Sequence, residues 1–295
     1  MELSKERVLP IIRAALKEDI GRGDITTGAL VDKFTTSAAS IVVREECVVC
    51  GINIAEWVMA AVDYSVRFKP NCKDGSLVGR GKEVAFLEGH AAAILRAERT
   101  MINFLSFLSG IATGTKAFVD KAKPYGVKVL DTRKTIPLVR YLEKYAVYTG
   151  GGTTHRMGLY DQVLIKDNHI KVDGSQRPRP GGKAATKTLL KDLAESARKR
   201  NPKDTIIEIE VTCAEEFNDA LAGKPDIIML DNMSPREVRA CVEIRRLSKF
   251  KPLLEVSGGI TLDNIEEYAR TKIDMISVGA LTSCVKSVDM SLEII

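Results

Sequence analysis

After Lys128 the chain repeats one pattern: a short apolar run, a polar loop, then a stretch in which apolar residues recur every three or four positions. The runs read VKVL (127–130), AVYT (146–149), QVLI (162–165), TIIEIEV (205–211), DIIML (226–230), LLEVS (253–257) and DMISV (274–278). Helical spacing falls near 134–145, 184–199, 214–222, 234–248 and 261–271. Apolar strands alternating with helices predict a parallel sheet covered by helices. Seven such units favour a barrel over an open, doubly wound sheet.

The first hundred or so residues are patterned differently. An amphipathic helix is predicted over Val8–Lys17, followed by β-rich runs at 39–51 (ASIVVREECVVCG), 64–69 and 82–91, broken by the turn sequences KDG and GRGK. This is an α+β domain with an antiparallel sheet. From Ala91 a long helix is predicted, its face made by Ile94, Leu95, Met101, Ile102, Leu105 and Leu108, ending at Gly110 and joining the two halves. The expected division is 1–112 for the first domain and 113–284 for the barrel, with the tail 285–295 packing back on the first.

The 295 residues are 45% hydrophobic and 28% charged, ordinary for a folded globular protein. The 44 basic and 39 acidic residues leave a net charge of +5, a bias that an anionic substrate accounts for and that is no nucleic-acid signature. No stretch reads as apolar for long enough to span a bilayer and the N-terminus lacks a secretion-signal pattern, so a cytoplasmic protein is expected. The six cysteines show no zinc pairing. Cys47 and Cys50 make a C-x-x-C in a strand-like run, without the helix N-terminus that lowers a redox thiol's pKa, and read as structural.

Between Val129 and Ile170 the chain concentrates Arg133, Lys134, His155, Arg156, Lys166 and His169, including two of its three histidines. So many cations facing one region repel one another unless a polyanion sits between them, so this segment reads as half of a pocket for a polyanionic small molecule. Reactive residues also fall at predicted strand ends. Asp131, Thr132 and Arg133 follow the first strand, Lys166 ends VLIK, Glu210 lies in IEIEV, Asp231 and Asn232 follow IIML, and Ser257, Gly258 and Gly259 follow LLEV. In an α/β barrel these ends open on the face that carries the active site. The turns in EVSGGI and ISVGAL have the composition of a phosphate cradle, or simply of tight turns. Glu210 and Asp231 are placed to hold Mg²⁺ or steady a cationic sugar, with ion pairs to nearby basic residues as the alternative. Gly150–Gly152 lacks a nucleotide fingerprint's spacing and reads as a flexible turn delivering His155 and Arg156. The basic, Gly- and Pro-rich run 171–183, with Lys171, Arg177 and Arg179, is either a lid over bound phosphates or a solvated connector.

The segments LDTRKT, GGGTTHRMGLYDQVLIKDNH, IEIEV, IIMLDNMSP, EVSGGITLDNI and ISVGALT, with EDIGRGDIT and AERTMINFLSFLSGIATGT upstream, resemble in order those of the quinolinate phosphoribosyltransferases, from Glu18 to the C-terminus. The resemblance implies an α/β protein with an N-terminal α+β open sandwich domain and an incomplete, TIM-like α/β barrel whose site lies at the C-terminal ends of its strands. It implies transfer of phosphoribosyl from phosphoribosyl pyrophosphate to quinolinate with loss of CO₂, giving nicotinate mononucleotide and pyrophosphate in de novo NAD synthesis, with Mg²⁺ required. By this match Arg99, Arg133, His155, Arg156 and Lys166 bind quinolinate. Thr132, Lys134, Glu210, Asp231, Ser257, Gly258, Gly259, Val278, Gly279 and Ala280 bind phosphoribosyl pyrophosphate. Lys134, Lys166, Glu210 and Asp231 carry the catalytic roles, and Glu210 and Asp231 face the metal. Arg99 is expected to reach a neighbouring subunit's site, which implies a homo-oligomer, at least a dimer and in the family's pattern a hexamer. No nucleic acid or membrane is expected as a partner. Thr154 and the strongly basic run 171–183 depart from the family's pattern. A barrel aldolase or lyase using Lys166 as a Schiff-base nucleophile is the competing enzyme class.

Overall fold

The computed structural model describes residues 1–172 and 189–295, so Arg177, Arg179 and the start of the helix expected from 184 lie outside the described residues. In chain order its elements are α1 (Lys5–Ile20), α2 (Ile25–Leu30), β1 (Thr36–Val43), β2 (Cys47–Val48), α3 (Ile52–Val62), β3 (Arg67–Pro70), β4 (Leu77–Val78), β5 (Glu83–His90) and α4 (Ala91–Ala122). There follow β6 (Lys128–Leu130), α5 (Arg140–Thr149), β7 (Val163–Ile165), α6 (Asp167–Val172), α7 (Leu189–Arg200), β8 (Ile207–Val211), α8 (Ala214–Ala222) and β9 (Ile227–Asp231). The chain closes with α9 (Pro235–Leu247), β10 (Leu253–Ser257), α10 (Ile265–Ala269), β11 (Met275–Ser277), α11 (Ala280–Ser283) and β12 (Met290–Ile294). These divide into two units that interleave along the chain. One takes Met1–Ala117, Lys134–Gly152 and Ala280–Ile295, the other Phe118–Arg133 and Thr153–Gly279.

In the first unit an antiparallel sheet runs β12-β1-β5-β3, with β1 paired to β5 on one side and to the C-terminal β12 on the other. Helix α1 is longer than its pattern predicted because Ser4 caps it, its hydroxyl accepting the Arg7 N–H, and the stripe Val8, Ile12, Leu16 is buried. Helix α4 runs through Gly110 instead of ending there. A side chain at Gly110 would collide with the carbonyl of Lys286, so the glycine serves close backbone approach rather than termination. By length and composition the stretch Ala91–Tyr125 could cross a membrane, contrary to expectation, with a mean hydropathy of 1.2. Half of that window is buried within the protein, and Ile94, Met101, Leu105, Leu108 and Ile111 on it are core side chains.

Two more expectations are corrected here. AVYT is not a strand but the last turns of α5, in which every residue from Tyr141 to Val147 is buried. A run buried on all sides has no periodicity by which to tell helix from strand. Cys50 does stand at a helix N-terminus, because α3 begins two residues later. The two N–H groups of Gly51 and Ile52 are, however, taken by the Asp74 carboxylate at 2.9 Å, which also accepts the Tyr145 hydroxyl at 2.8 Å. Burial and then the Asp74 charge push the Cys50 thiol well up, and burial pushes Cys47 to about 11, so both remain structural thiols.

The second unit is a parallel sheet in the order β6-β11-β10-β9-β8-β7. Its first strand in sequence pairs with its last, the cyclic order of a barrel, while on its open side β6 makes a single parallel bridge, from Leu130 to Thr153. It is therefore an incomplete α/β barrel of six strands among the described residues.

The glycine run before this bridge is packed, not flexible. A Cβ on Gly150 would strike the Ala112 carbonyl and come within 2.8 Å of Thr115 Cβ; one on Gly152 would lie 2.7 Å from Val147. Because Gly150 has an ordinary φ of −74°, only the lack of space forbids a side chain there. Gly150→Ala is expected to destabilise the fold by about 1–3 kcal/mol, as overpacking of a filled site does, measured by denaturant unfolding.

Candidate active site

Strand β8 alternates strictly: Ile207, Ile209 and Val211 on one side, Glu208 and Glu210 on the other. Register carries the polar side across the sheet, since Glu210 pairs with Met229, Met229 with Glu255, and Asp231 with Ser257. Paired residues of neighbouring strands point the same way, so Glu208, Glu210, Asp231, Glu255 and Ser257 share one face. Leu130, Ile227 and Met275, from β6, β9 and β11, pack together on that same face, which shows it to be the inner one.

The cations expected to converge do so in part. Arg156 is buried, its guanidinium donating to the Gln162 carbonyl at 2.9 Å. Burial and then the like charge of Arg133 lower its pKa, while Glu208 and Asp161 oppose the shift. Lys166 follows β7, and its ammonium donates to Glu210 Oε2 at 3.0 Å, which commits it to an ion pair rather than offering a free amine to a carbonyl. His169 is exposed and accepts the Lys166 N–H on Nδ1, so it steadies the start of α6. Lys171 pairs with Asp167 one helical turn back.

His155 departs from the expectation of a substrate-facing cation. Its Nδ1 accepts the Arg156 N–H at 2.7 Å. A backbone N–H can only donate, so Nδ1 is bare and the ring is neutral, its proton on Nε2. That nitrogen lies 3.2 Å from Glu208 Oε2 and 3.7 Å from Glu255 Oε1, with both carboxyls wholly buried. Three ligand-type atoms this close would suit a metal ion, but the proton sits where the metal would bind. Sequence reasoning passed over Glu208 and Glu255, although each stands two residues before a group it did select, Glu210 and Ser257, and so on the same strand face.

The strand-end turns are shaped by contact. Gly258 has φ +94° and no room for a Cβ against the Asn232 amide, and the Asn232 N–H donates to the Ser257 carbonyl at 2.9 Å. Asp231 accepts the Asn232 side-chain amide at 2.7 Å. Val278 is less suited to a phosphate cradle than expected, because its N–H is committed to the Leu130 carbonyl. Helix α10 starts only at Ile265 and is short, so Gly258 and Gly259 offer backbone groups without a helix end behind them. Thr132 and Arg133 are half-buried and Gly279 ends this unit. Arg99, Lys134 and Ala280 belong to the first unit, where all three are exposed and the Lys134 carbonyl accepts the Thr282 hydroxyl at 2.7 Å.

Comparison with known proteins gives a consistent result. A family model described as quinolinate phosphoribosyl transferase, C-terminal domain, matches residues 111–293, and its N-terminal counterpart matches residues 24–109. A relative from Methanocaldococcus jannaschii, named as a probable carboxylating nicotinate-nucleotide pyrophosphorylase, is 43% identical over 99% of this chain and 98% of its own. The carboxylating nicotinate-nucleotide pyrophosphorylase of Mycobacterium leprae is 38% identical over 96% of this chain and 95% of its own. Among solved structures, the nicotinate-nucleotide pyrophosphorylase of Francisella tularensis superposes with a TM-score of 0.89 at 37% identity, over 100% of this chain and 98% of that one.

The buried acids set a pH dependence. Burial, then the Glu208 charge, push Glu255 up from 4.5 to about 8. Below the unfolded value both states hold the proton; as pH rises, the unfolded chain releases it first. Stability therefore falls across the window from 4.5 to about 8 and is level above it. Wild-type unfolding free energy should decline there by up to about 1.4 kcal/mol per pH unit, and Glu255→Gln should flatten the decline, as read by denaturant titrations across that window.

Proposed function

This chain belongs to the quinolinate phosphoribosyl transferase family, and we infer that it transfers phosphoribosyl from phosphoribosyl pyrophosphate to quinolinate, releasing pyrophosphate and CO₂ and forming nicotinate mononucleotide for NAD biosynthesis. The observations that support this reading are that Arg133, Lys166, Glu210 and Asp231 stand at or just beyond the C-terminal ends of parallel strands, that Lys166 pairs with Glu210, and that the buried Arg156 feels the charge of Arg133. A diacid whose partner carries a phosphate and a pyrophosphate needs such cations. The reaction also passes through positive charge on the ribose, which needs carboxylates.

In this reading Arg133 and Arg156 take the quinolinate carboxylates through their planar forks, and Lys166 adds a point charge. Because Arg156 is already desolvated, little water must be removed when the carboxylate arrives. As pyrophosphate departs, Glu210 and Asp231 stabilise the charge growing at C1′, and the ring nitrogen attacks there. The nitrogen becomes cationic, and its charge stabilises the electron pair left on the adjacent ring carbon when that carbon's carboxylate departs as CO₂; a proton from solvent then takes the carboxylate's place. The protein contributes position and charge, not a covalent nucleophile. Thr132, Lys134 and the turns at Ser257–Gly259 and Val278–Ala280 hold the phosphoribosyl pyrophosphate, the last through Gly279 and Ala280 rather than Val278.

Each of the two acids has one oxygen engaged by a neighbour, Lys166 for Glu210 and Asn232 for Asp231, and presents a second. One or two carboxylates completed by phosphate oxygens are the donor set Mg²⁺ prefers, so the residues fit the ion. Bound there, Mg²⁺ supplies neutralisation of the departing pyrophosphate. The exposure of Arg99 on α4 agrees with its reaching a neighbouring site in a homo-oligomer, and six free cysteines agree with a cytoplasmic, reducing setting.

Purified protein given Mg²⁺ and phosphoribosyl pyrophosphate should produce nicotinate mononucleotide and CO₂ in equal amounts from quinolinate and nothing from nicotinate. Chelation should stop turnover and added Mg²⁺ restore it. Silence with quinolinate from folded protein would refute the activity. Arg156→Ala should lower kcat/KM for quinolinate roughly 30-fold or more, as loss of a buried charge partner does. The KM for phosphoribosyl pyrophosphate should stay near the wild-type value; an equal loss for both substrates would assign Arg156 elsewhere.

A further inference from the structure

Glu208 has no part in the chemistry above, yet it occupies the middle of the inner face, and two buried carboxyls so close are costly to keep. Its Oε2 accepts the Gln162 side-chain amide at 2.5 Å and lies 3.2 Å from His155 Nε2, the protonated nitrogen of that ring. Gln162 in turn accepts the Arg156 guanidinium on its backbone carbonyl, and His155 accepts the Arg156 N–H on Nδ1. The His155 N–H is held by Asp131 Oδ1 at 2.8 Å. One carboxylate on β8 thus reaches both ends of the loop 155–162, and both of those ends grip Arg156.

We propose that Glu208 is a positioning residue for quinolinate recognition: its buried carboxylate ties His155 and Gln162 together and so fixes the direction of the Arg156 guanidinium. The inference rests on the role given to Arg156 under the proposed function. The arrangement needs an acceptor at one point. The His155 Nε2–H and the Gln162 amide both face the same Glu208 oxygen, Oε2, so a glutamine could keep both contacts through its carbonyl, whereas a side chain without an acceptor keeps neither. Glu208→Leu, of similar size, therefore removes both tethers and loosens Arg156. Glu255 stands in the same cluster but lies farther from His155 Nε2, at 3.7 Å, and the Gln162 amide goes to Glu208, so Glu255→Gln leaves the tether whole.

The test compares wild type, Glu208→Leu, Glu208→Asp and Glu255→Gln by steady-state kinetics in both substrates. Nitrogen NMR of histidine-labelled protein, with only three histidines to assign, reports the bare Nδ1 of His155. Expected for Glu208→Leu are a rise of about tenfold or more in the quinolinate KM, a KM for phosphoribosyl pyrophosphate within about twofold of wild type, and a changed His155 signal. Glu208→Asp, which keeps the carboxylate but withdraws it by one methylene, should fall between, and serves alone if the leucine variant does not fold. Glu255→Gln should match wild type in both KM values. An unchanged quinolinate KM in active, folded Glu208 variants, or an equal rise in both KM values, would overturn the positioning role while leaving the transferase reading intact. A wild-type protein that does not turn over quinolinate would overturn both.

Discussion

Carboxyls on the inner face of a parallel sheet are the constraint on which the rest of this molecule depends. Both faces of such a sheet are covered, so a glutamate there must find a cation, a donor or a proton. The outer face of each strand meets the need for burial with Ile207, Ile209, Ile228, Leu230, Leu254 and Val256. The inner face gives up that gain and carries Glu208, Glu210, Asp231 and Glu255 instead.

The four acids solve the problem in different ways, and the differences follow depth. Glu210 and Asp231, at the strand ends, are partly solvated and pair with Lys166 and Asn232. Deeper in, solvent is absent. Burial pushes the Glu255 carboxyl up to about 8, and Glu208 accepts the Gln162 amide and faces His155 Nε2. His155 marks the boundary between the two regimes. Its own neighbour's N–H makes it a neutral link between buried acids and a buried arginine, where its sequence position beside Arg156 suggested a second charge.

Much of this was legible along the chain. The alternation in IEIEV, the strands IIML and LLEV, and the residues at their ends predict a parallel barrel with Arg133, Lys166, Glu210, Asp231 and Ser257 on one rim; register puts Glu210, Asp231 and Ser257 on one face, and Lys166 pairs with Glu210. The reading failed where local pattern is silent. AVYT closes a helix whose residues from Tyr141 to Val147 are all buried, so no alternation marks it as helix or strand. Gly110 reads as a stop and Gly150 as part of a flexible turn, but each is a place where another part of the chain comes too close for a side chain.

The sequence by itself determined which residues face inward on each strand and which chemical types stand at the rim, because side-chain direction in a strand depends only on its neighbours. Tertiary structure alone decided what those residues do to one another. Asp131, His155, Glu208 and Glu255 come from four separated segments, and the proton on His155 Nε2, the raised pKa of Glu255 and the aim of Arg156 all follow from distances between them. Burial sets the strength of those interactions, and burial is a property of the folded whole.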